Sequence, residues 1–391
     1  MPIDATISFW EQEEFLRADV CIVGAGIIGL SLAAELLERD ENLRVVVLER
    51  NTLPTGASTK NAGFACYGSP TELWRDVRTL GTDAVVELVR MRKQGLERLR
   101  TRLGDEAIGY QQCGGYELVW GNHAAVLDWL DKINTLLQPV FGSTYVVQCD
   151  ERIAEFGFGS SVEHLLALPH EGRINTGQMM RALLRYVTER GGLVLTGTPV
   201  LRVEPSADGA ELLAGTAIGG QLRFRARVAA VATNALAPSL APCLAARPGR
   251  GQVLITEPLD RLPWDGVFHF DEGYYYFRNV GRRILFGGGR NLDLEGETTD
   301  QLALTERIQS QLEEYLRTLI IPGVSVQIAH RWAGIMGFRE PALPAVEWCA
   351  DRVLGVFGCN GMGVALGSLV AATAAERLEA VLLQSHHGAQ A

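Results

Sequence analysis

An α/β chain of more than one domain is what the sequence predicts, and three stretches predict it. Residues 20 to 49 read as strand, glycine turn, helix and second strand. Residues 273 to 292, "GYYYFRNVGRRILFGGGRNL", read as two short strands around a turn. Residues 352 to 378 read as a strand, a second glycine-rich turn and a long apolar helix. The 391 residues are enough for two domains with a large core.

Bulk properties narrow the field. With 47% hydrophobic and 21% charged residues the composition is that of an ordinary globular protein. A formal net charge of −10 argues against a nucleic-acid partner, because phosphate binding needs a positive face. Seven cysteines are scattered without a C-x-x-C pair, which predicts free thiols in a reducing compartment and no metal site. The N-terminal stretch "MPIDATISFWEQEEFLRAD" carries four acids between residues 11 and 19 and no apolar core, unlike a signal peptide. Residues 20 to 37 are apolar enough to suggest a membrane span. Their glycines, flanked by β-branched residues before and helix formers after, favour strand, turn and helix instead. The expectation is a cytoplasmic protein without membrane attachment.

The first stretch is a dinucleotide fingerprint of Rossmann-like type. Val20 to Val23 form a buried strand, Gly24-Ala25-Gly26-Ile27-Ile28-Gly29 follows, and a helix runs from Leu30 to about Arg39. Gly24 allows the tight turn, Gly26 lets the backbone approach a pyrophosphate, and Gly29 lets helix and strand pack closely. The helix N-terminus then faces the phosphate charge. Glu49 closes the second strand, "LRVVVLER", where it can accept hydrogen bonds from a ribose diol. An acid there disfavours a 2′-phosphate, so NADP is not expected.

FAD is favoured over NAD by two further features. Residues 55 to 69, "TGASTKNAGFACYGS", are rich in small residues and too long for a simple connection. Near the C-terminus, a helix beginning at Gly361 to Gly363 exposes backbone N–H groups that favour negative charge. A reduced flavin carries such charge on its N1/C2=O edge. An NAD-dependent enzyme has no use for this second turn.

Taken together, the fingerprint with Glu49, "ASTKNAG", "VATNAL" (231–236), "RGQVL" (250–254), "YYYFR…FGGG" (274–289) and "GCNGMG" resemble the family of D-amino-acid oxidase, glycine oxidase and sarcosine oxidase. The resemblance covers nearly the whole chain. It implies a Rossmann-like FAD-binding domain with a second α+β substrate domain built on an antiparallel sheet, both discontinuous in sequence. The FAD-binding domain would comprise residues 1–78, 166–238 and 332–391, and the substrate domain residues 79–165 and 239–331. Within these, helices are expected after Thr176 as N-cap and from Thr298 to about Leu316.

The cofactor residues implied are Gly24, Gly26, Ile27, Ile28, Gly29, Glu49, Arg50, Asn234, Gly358 and Asn360, with Val200 meeting adenine through its backbone. Ser58, Asn61, Ala62 and Gly63 would follow the ribityl chain and ring. Gly361, Met362 and Gly363 would stabilise charge at the pyrimidine edge. The hairpin would roof the flavin. Alternation puts Tyr274, Tyr276 and Arg278 on one face and Tyr275 and Phe277 on the other. Gly287 to Gly289 would let the backbone pass close to ring and substrate. Tyr274, Tyr276 and Arg290 are the substrate-positioning candidates. Cys66 and Cys359 fall near the flavin, without a motif for covalent attachment.

One departure stands out. The family often carries a carboxylate-binding arginine just after W-x-G, and Met336 occupies that place in "RWAGIMGFREP". Arg290, Arg331 or Arg339 must then supply the charge, or the substrate is not a simple amino acid. His269 reads as a strand-end histidine bonded to Asp271 or the turn backbone.

The resemblance implies FAD-dependent oxidation of the C–N bond of a small amine or amino acid, by hydride transfer to flavin N5. Oxygen or another acceptor would reoxidise the flavin. An alternative is a 2-hydroxy acid, with His269 as base. His269→Asn would abolish turnover under that alternative and leave amine oxidation largely intact. Two others are a flavin-bearing subunit that passes electrons to a partner, and an NAD-dependent dehydrogenase.

Overall fold

The computed structural model describes residues 7–216 and 219–388, and side chains as far as residue 383. Residues 1–6, part of the N-terminal stretch read above, lie outside the described residues. The chain divides into two compact units, one made of residues 1–59, 177–247 and 337–391, the other of 60–176 and 248–336.

The first unit is built on a mostly parallel sheet. Its strands run in the order Ala345–Ala350, Val353–Phe357, Gln221–Val231, Arg17–Val23, Val45–Leu48 and Leu193–Leu195. Arg17–Val23 lies in parallel register with Gln221–Val231 on one side and Val45–Leu48 on the other. Strands buried on both faces read as continuous apolar runs, which is why "VCIV" and "VVVL" carry no alternation. Val200–Ser206 and Gly209–Gly215 form an antiparallel extension. Helix Ile27–Arg39 follows the first strand, and helix Gly363–Gly388 follows Val353–Phe357. Ile27 packs on Gly363 and Gly367, where an added Cβ would lie 3.7 and 3.1 Å from its side chain. The two helices therefore begin side by side, at the carboxyl ends of parallel strands, where open α/β sheets bind ligands.

The second unit is built on an eight-stranded, largely antiparallel sheet. The order is Ile328–Phe338, Arg247–Thr256, Arg283–Gly288, Tyr275–Val280, Val267–Phe270, Gly115–Val119, His164–Leu168 and Val147–Gln148. Strand registers align Tyr116, Phe268, Phe277, Phe286 and Leu254 across five strands. This row is the heart of an aromatic core, with Phe268 stacked on Phe277 at 4.6 Å and Phe270 on Tyr275 at 4.8 Å. The opposite face carries the row Glu117, His269, Tyr276, Gly287 and Val253.

Three expectations change here. The units divide at 59/60, 176/177, 247/248 and 336/337, not at 78/79, 165/166, 238/239 and 331/332. Residues 60–78 stay with the second unit because Phe64–Ala65 pairs with Gly172–Arg173 and Trp332 Nε1 donates to the Lys60 carbonyl. The helix expected from Thr298 starts only at Glu306, with Thr305 as N-cap. The preceding loop is used otherwise: Glu297 pairs with buried Arg250, and Thr305 N donates to Gln252. Finally, Cys243 and Cys349 form a disulfide, with Cα atoms 5.2 Å apart; the other five cysteines are free thiols. The two partners are 106 residues apart, too far for spacing to reveal them, and their pairing removes the cysteine argument for a reducing compartment. Among the described residues no helix is long and apolar enough to cross a membrane.

Candidate active site

In the first unit the glycine turn is built as its spacing requires. Gly24 has φ +104, a left-handed conformation that a side chain would strain. A Cβ on Gly29 would sit 1.9 Å from the Gly24 carbonyl oxygen, so only glycine permits this helix–strand contact. Gly26 is the N-cap and contributes no side-chain cap. Ser58 supplies it from a distant segment, its Oγ accepting the Ile27 amide at 2.9 Å. Ile27 is buried and Ile28 half-buried on that first turn. Buried Glu49 is pinned by two backbone amides, Ala25 N at 3.1 Å and Asn51 N at 3.0 Å. A carboxylate has about four acceptor sites, so it retains capacity for a ligand diol. Arg50 is exposed beside it. Val200 starts its strand two residues after Thr198, whose amide donates to the Glu49 carbonyl.

The C-terminal turn is equally specific. Gly358 (φ +124), Asn360 (φ +44) and Gly361 (φ +92) all take left-handed conformations. Asn360 Oδ1 accepts the Arg339 amide at 2.9 Å, and the Met362 amide donates to the Cys359 carbonyl before the helix starts at Gly363. Asn234 (φ +53) follows the strand Gln221–Val231.

These residues fit FAD. The Thr233 hydroxyl, beside Gly24, is buried with no hydrogen-bond partner among the described residues. Such an orphan costs about 1–3 kcal/mol, and a ligand oxygen would satisfy it. A Cβ on Gly26 would meet only Ser58 Oγ, at 3.2 Å, which leaves the backbone there open to close approach. Two adjacent helix N-termini add positive potential for an anionic ligand.

The second unit holds Asn61, Ala62 and Gly63 together with Tyr274, Tyr276, Arg290 and His269. Asn61 Oδ1 accepts the Gly63 amide. Arg278 is buried and structural: its Nε donates to the Ala62 carbonyl at 2.5 Å and its Nη2 to the Ile174 carbonyl at 3.1 Å. Burial, with Arg173 nearby, pushes its pKa down to about 10. Tyr276 shares its face, packed near Phe64 and Trp332, and burial pushes its phenol up to about 12.

Tyr274 departs from the expected alternation. The strand begins only at Tyr275, after Gly273 turns the chain at φ +78, and Tyr274 packs against the aromatic core. It still meets Arg290, whose guanidinium carbon lies 5.8 Å from its ring centroid. The glycine triplet also has a use inside the protein. A Cβ on Gly287 would strike the Tyr276 ring at 2.7 Å, one on Gly288 the Tyr274 carbonyl oxygen at 2.1 Å, and one on Gly289 the Tyr275 ring at 3.3 Å. The protein's own backbone and rings fill that space.

His269 bonds to neither Asp271 nor the turn backbone. Its Nε2 lies 2.9 Å from Glu171 Oε2, and both side chains are buried; Asp271 bonds to His123 and Asn291 instead. Burial alone would lower the His269 pKa, but Glu171, with Glu117 and Glu72, raises it overall. Cys66 joins the pair, and the three donor atoms lie within 4.8 Å of one another. Burial, then Glu171, pushes the Cys66 thiol pKa up. Buried Glu117, held by Thr71, is raised by burial as well. Sequence reasoning missed Glu171, Glu117 and Phe64; no local pattern marks them.

All three arginines offered in place of the family arginine make contacts within the protein, Arg290 with the Tyr274 ring among them. Arg331 bonds to Gln309 and Glu313, and Arg339 to Glu347. Met336 reaches the space over Gly251 near the Tyr276 hydroxyl; a Cβ on Gly251 would lie 3.0 Å from Met336 Cε and 3.7 Å from that oxygen.

A parallel-sheet unit fitted to an extended dinucleotide, together with a second unit offering a polar sheet face, has the equipment of a dinucleotide-dependent oxidoreductase. Comparison with known proteins makes the class specific. Residues 19–377 match the family described as FAD dependent oxidoreductase, and the chain belongs to it. It is 23% identical to glycine oxidase of Geobacillus kaustophilus over 93% of both chains, and 23% identical to a probable oxidoreductase of Haemophilus influenzae over 93% of this chain and 83% of that one. The solved glycine oxidase of Geobacillus kaustophilus superposes with a TM-score of 0.71 at 22% identity, covering 93% of this chain and 95% of that one. L-proline dehydrogenase of P. horikoshii superposes at 0.73 with 19% identity, covering 92% of each. The chain is thus an FAD-dependent oxidoreductase.

Proposed function

We propose that this oxidoreductase oxidises the C–N bond of a small amine or amino acid to the imine, which water then hydrolyses. The observation that carries the reading is the full-length likeness to glycine oxidase, over 93% of both chains. FAD, when bound, supplies the acceptor for the hydride that leaves the substrate carbon. The remaining work belongs to the chain. Gly26, Ser58, Glu49 and Thr233 hold the nucleotide, and the N-terminus of the helix Gly363–Gly388 favours negative charge at its end. Tyr276 and Met336 shape one side of the substrate site. Arg290, over Tyr274, is the cation offered to a substrate carboxylate, because its planar fork suits bidentate binding.

A 2-hydroxy acid is the second reading, favoured by the buried Glu171–His269 pair, because a hydroxyl needs a base to lose its proton. The test is an anaerobic spectrum of the FAD-loaded protein with amino acids, N-methyl amines and 2-hydroxy acids. Bleaching by an amine is the expected result. Bleaching by hydroxy acids alone would move the assignment to the second reading.

A further inference from the structure

We infer that Glu171 and His269 form the proton-accepting pair of this site: His269 Nδ1 takes a proton from the substrate ammonium while Glu171 orients the ring. The inference rests on the amine reading above. His269 lies on the non-core face of its sheet, directly across from Tyr276 on one neighbouring strand and Glu117 on the other. Its Nε2 is 2.9 Å from Glu171 Oε2, which leaves Nδ1 as the ring nitrogen not engaged by that carboxylate. A buried carboxylate on one ring nitrogen fixes the tautomer with hydrogen there, and leaves the lone pair on the other. Phe64 meets the ring edge-on at 5.0 Å and Tyr276 at 5.7 Å, so one aromatic side chain packs against both.

The charges around the ring come from several elements. Glu117 faces it from the neighbouring strand, Glu171 from the segment after His164–Leu168, and Glu72 from helix Pro70–Leu80. Cys66, beyond the short strand Phe64–Ala65, completes the cluster. The cation of the cluster is Arg92 of helix Thr82–Leu103, committed to the Tyr67 carbonyl at 2.7 Å and to Glu72 at 3.1 Å. This acidic surround strengthens His269 as a base. The raised Cys66 and Tyr276 stay neutral and do not compete.

The step is simple in its balance. An amine releases hydride from its carbon only with a free lone pair on nitrogen, and near neutral pH it arrives as the ammonium ion. One substrate N–H bond breaks, a His269 Nδ1–H bond forms, and the lone pair stays on the substrate nitrogen. The positive charge passes to the imidazole, where Glu171 offsets it, and the proton returns to water after product leaves. Glu171 is a positioning residue; it never meets the substrate. This revises the expectation that amine oxidation is indifferent to His269.

The test uses FAD-loaded wild type, His269→Gln and Glu171→Gln. Anaerobic flavin reduction by small amines is followed from about pH 6 to about pH 10, where free amines lose their proton. His269→Gln should be slower by about 100-fold near neutral pH and recover most of the rate at high pH, because the neutral amine then needs no base. Glu171→Gln keeps the imidazole and should move the acidic limb of the profile to lower pH. A hydroxy acid substrate would show no such recovery, since its hydroxyl stays protonated. A second readout is independent of turnover. Histidine nitrogen NMR should find His269 protonated at Nε2 and titrating above an ordinary imidazole, with the titration lowered in Glu171→Gln. An unchanged pH profile in His269→Gln, a proton fixed on Nδ1, or stoichiometric zinc bound by Cys66, Glu171 and His269 would each overturn the pair. If no amine reduces the wild type, the amine reading fails, while the tautomer still decides whether the dyad exists.

Discussion

Two glycine clusters in this molecule look alike in sequence and do opposite things. At Gly26, in the first unit, a side chain would meet a single hydroxyl oxygen at 3.2 Å, and the backbone lies open. At Gly287, in the second, a side chain would run into the Tyr276 ring at 2.7 Å, and the space is already occupied. The first cluster leaves its backbone open, and the second makes room for the protein's own aromatic packing. Glycine runs therefore mark a close approach without saying what approaches. Only the partner, one strand away or two hundred residues away, settles that.

Substitutions can break or sharpen this contrast. The largest effect belongs to Gly29→Ala, whose Cβ would fall 1.9 Å from the Gly24 carbonyl oxygen. It should cost about 3 kcal/mol of stability and most of the bound FAD, read by thermal unfolding and flavin absorbance. Unchanged flavin content would show that the fingerprint tolerates expansion. Arg278→Met comes next, since it strips donors from the buried Ala62 and Ile174 carbonyls; a loss of about 2–3 kcal/mol in denaturant unfolding is expected. Gly26→Ala and Gly287→Ala then form a matched pair. Gly26→Ala should weaken FAD by about tenfold, or 1.4 kcal/mol, with little change in stability. Gly287→Ala should displace Tyr276, costing about 1 kcal/mol of stability and raising KM while leaving FAD affinity alone. If both variants lose FAD equally, the contrast fails.

The smallest effect is on stability against pH. The His269 pKa is raised in the folded state despite burial, chiefly by Glu171. Its contribution to stability is complete below the unfolded histidine value of about 6.5 and fades as pH rises through the folded value. Glu171→Gln should flatten that slope in urea titrations across the range.

How far the sequence could be read follows from the distances over which each feature is determined. Gly24, Gly26, Gly29 and Glu49 were legible because strand, turn, helix and acid follow one another within thirty residues. The alternation of Tyr275, Tyr276, Phe277 and Arg278 was legible too, since a strand needs only its own period. It failed at Tyr274, where a turn rather than a strand sets the direction. The loop before Glu306 was misread as helix because Gln252 and Arg250, some fifty residues earlier, hold it extended. The Glu171–His269 pair spans 98 residues and the Cys243–Cys349 bond 106, and nothing near either residue announces its partner. Met336 was seen as a departure from family pattern, yet its place over Gly251 was not readable.

The interleaving of the two units also has a consequence for the nascent chain. Arg17–Val23 finds Val45–Leu48 soon after synthesis, but its other edge waits for Gln221–Val231, about two hundred residues later. At typical elongation rates of 5–20 residues per second, that edge stands open for roughly 10–40 s. Its exposed run, Val20 to Val23, is wholly apolar and unpaired during that interval, the kind of surface that templates aggregation. A chaperone that binds apolar strand edges would shield it. Expression yield should therefore respond to chaperone supply more steeply than the stability of the finished fold would suggest.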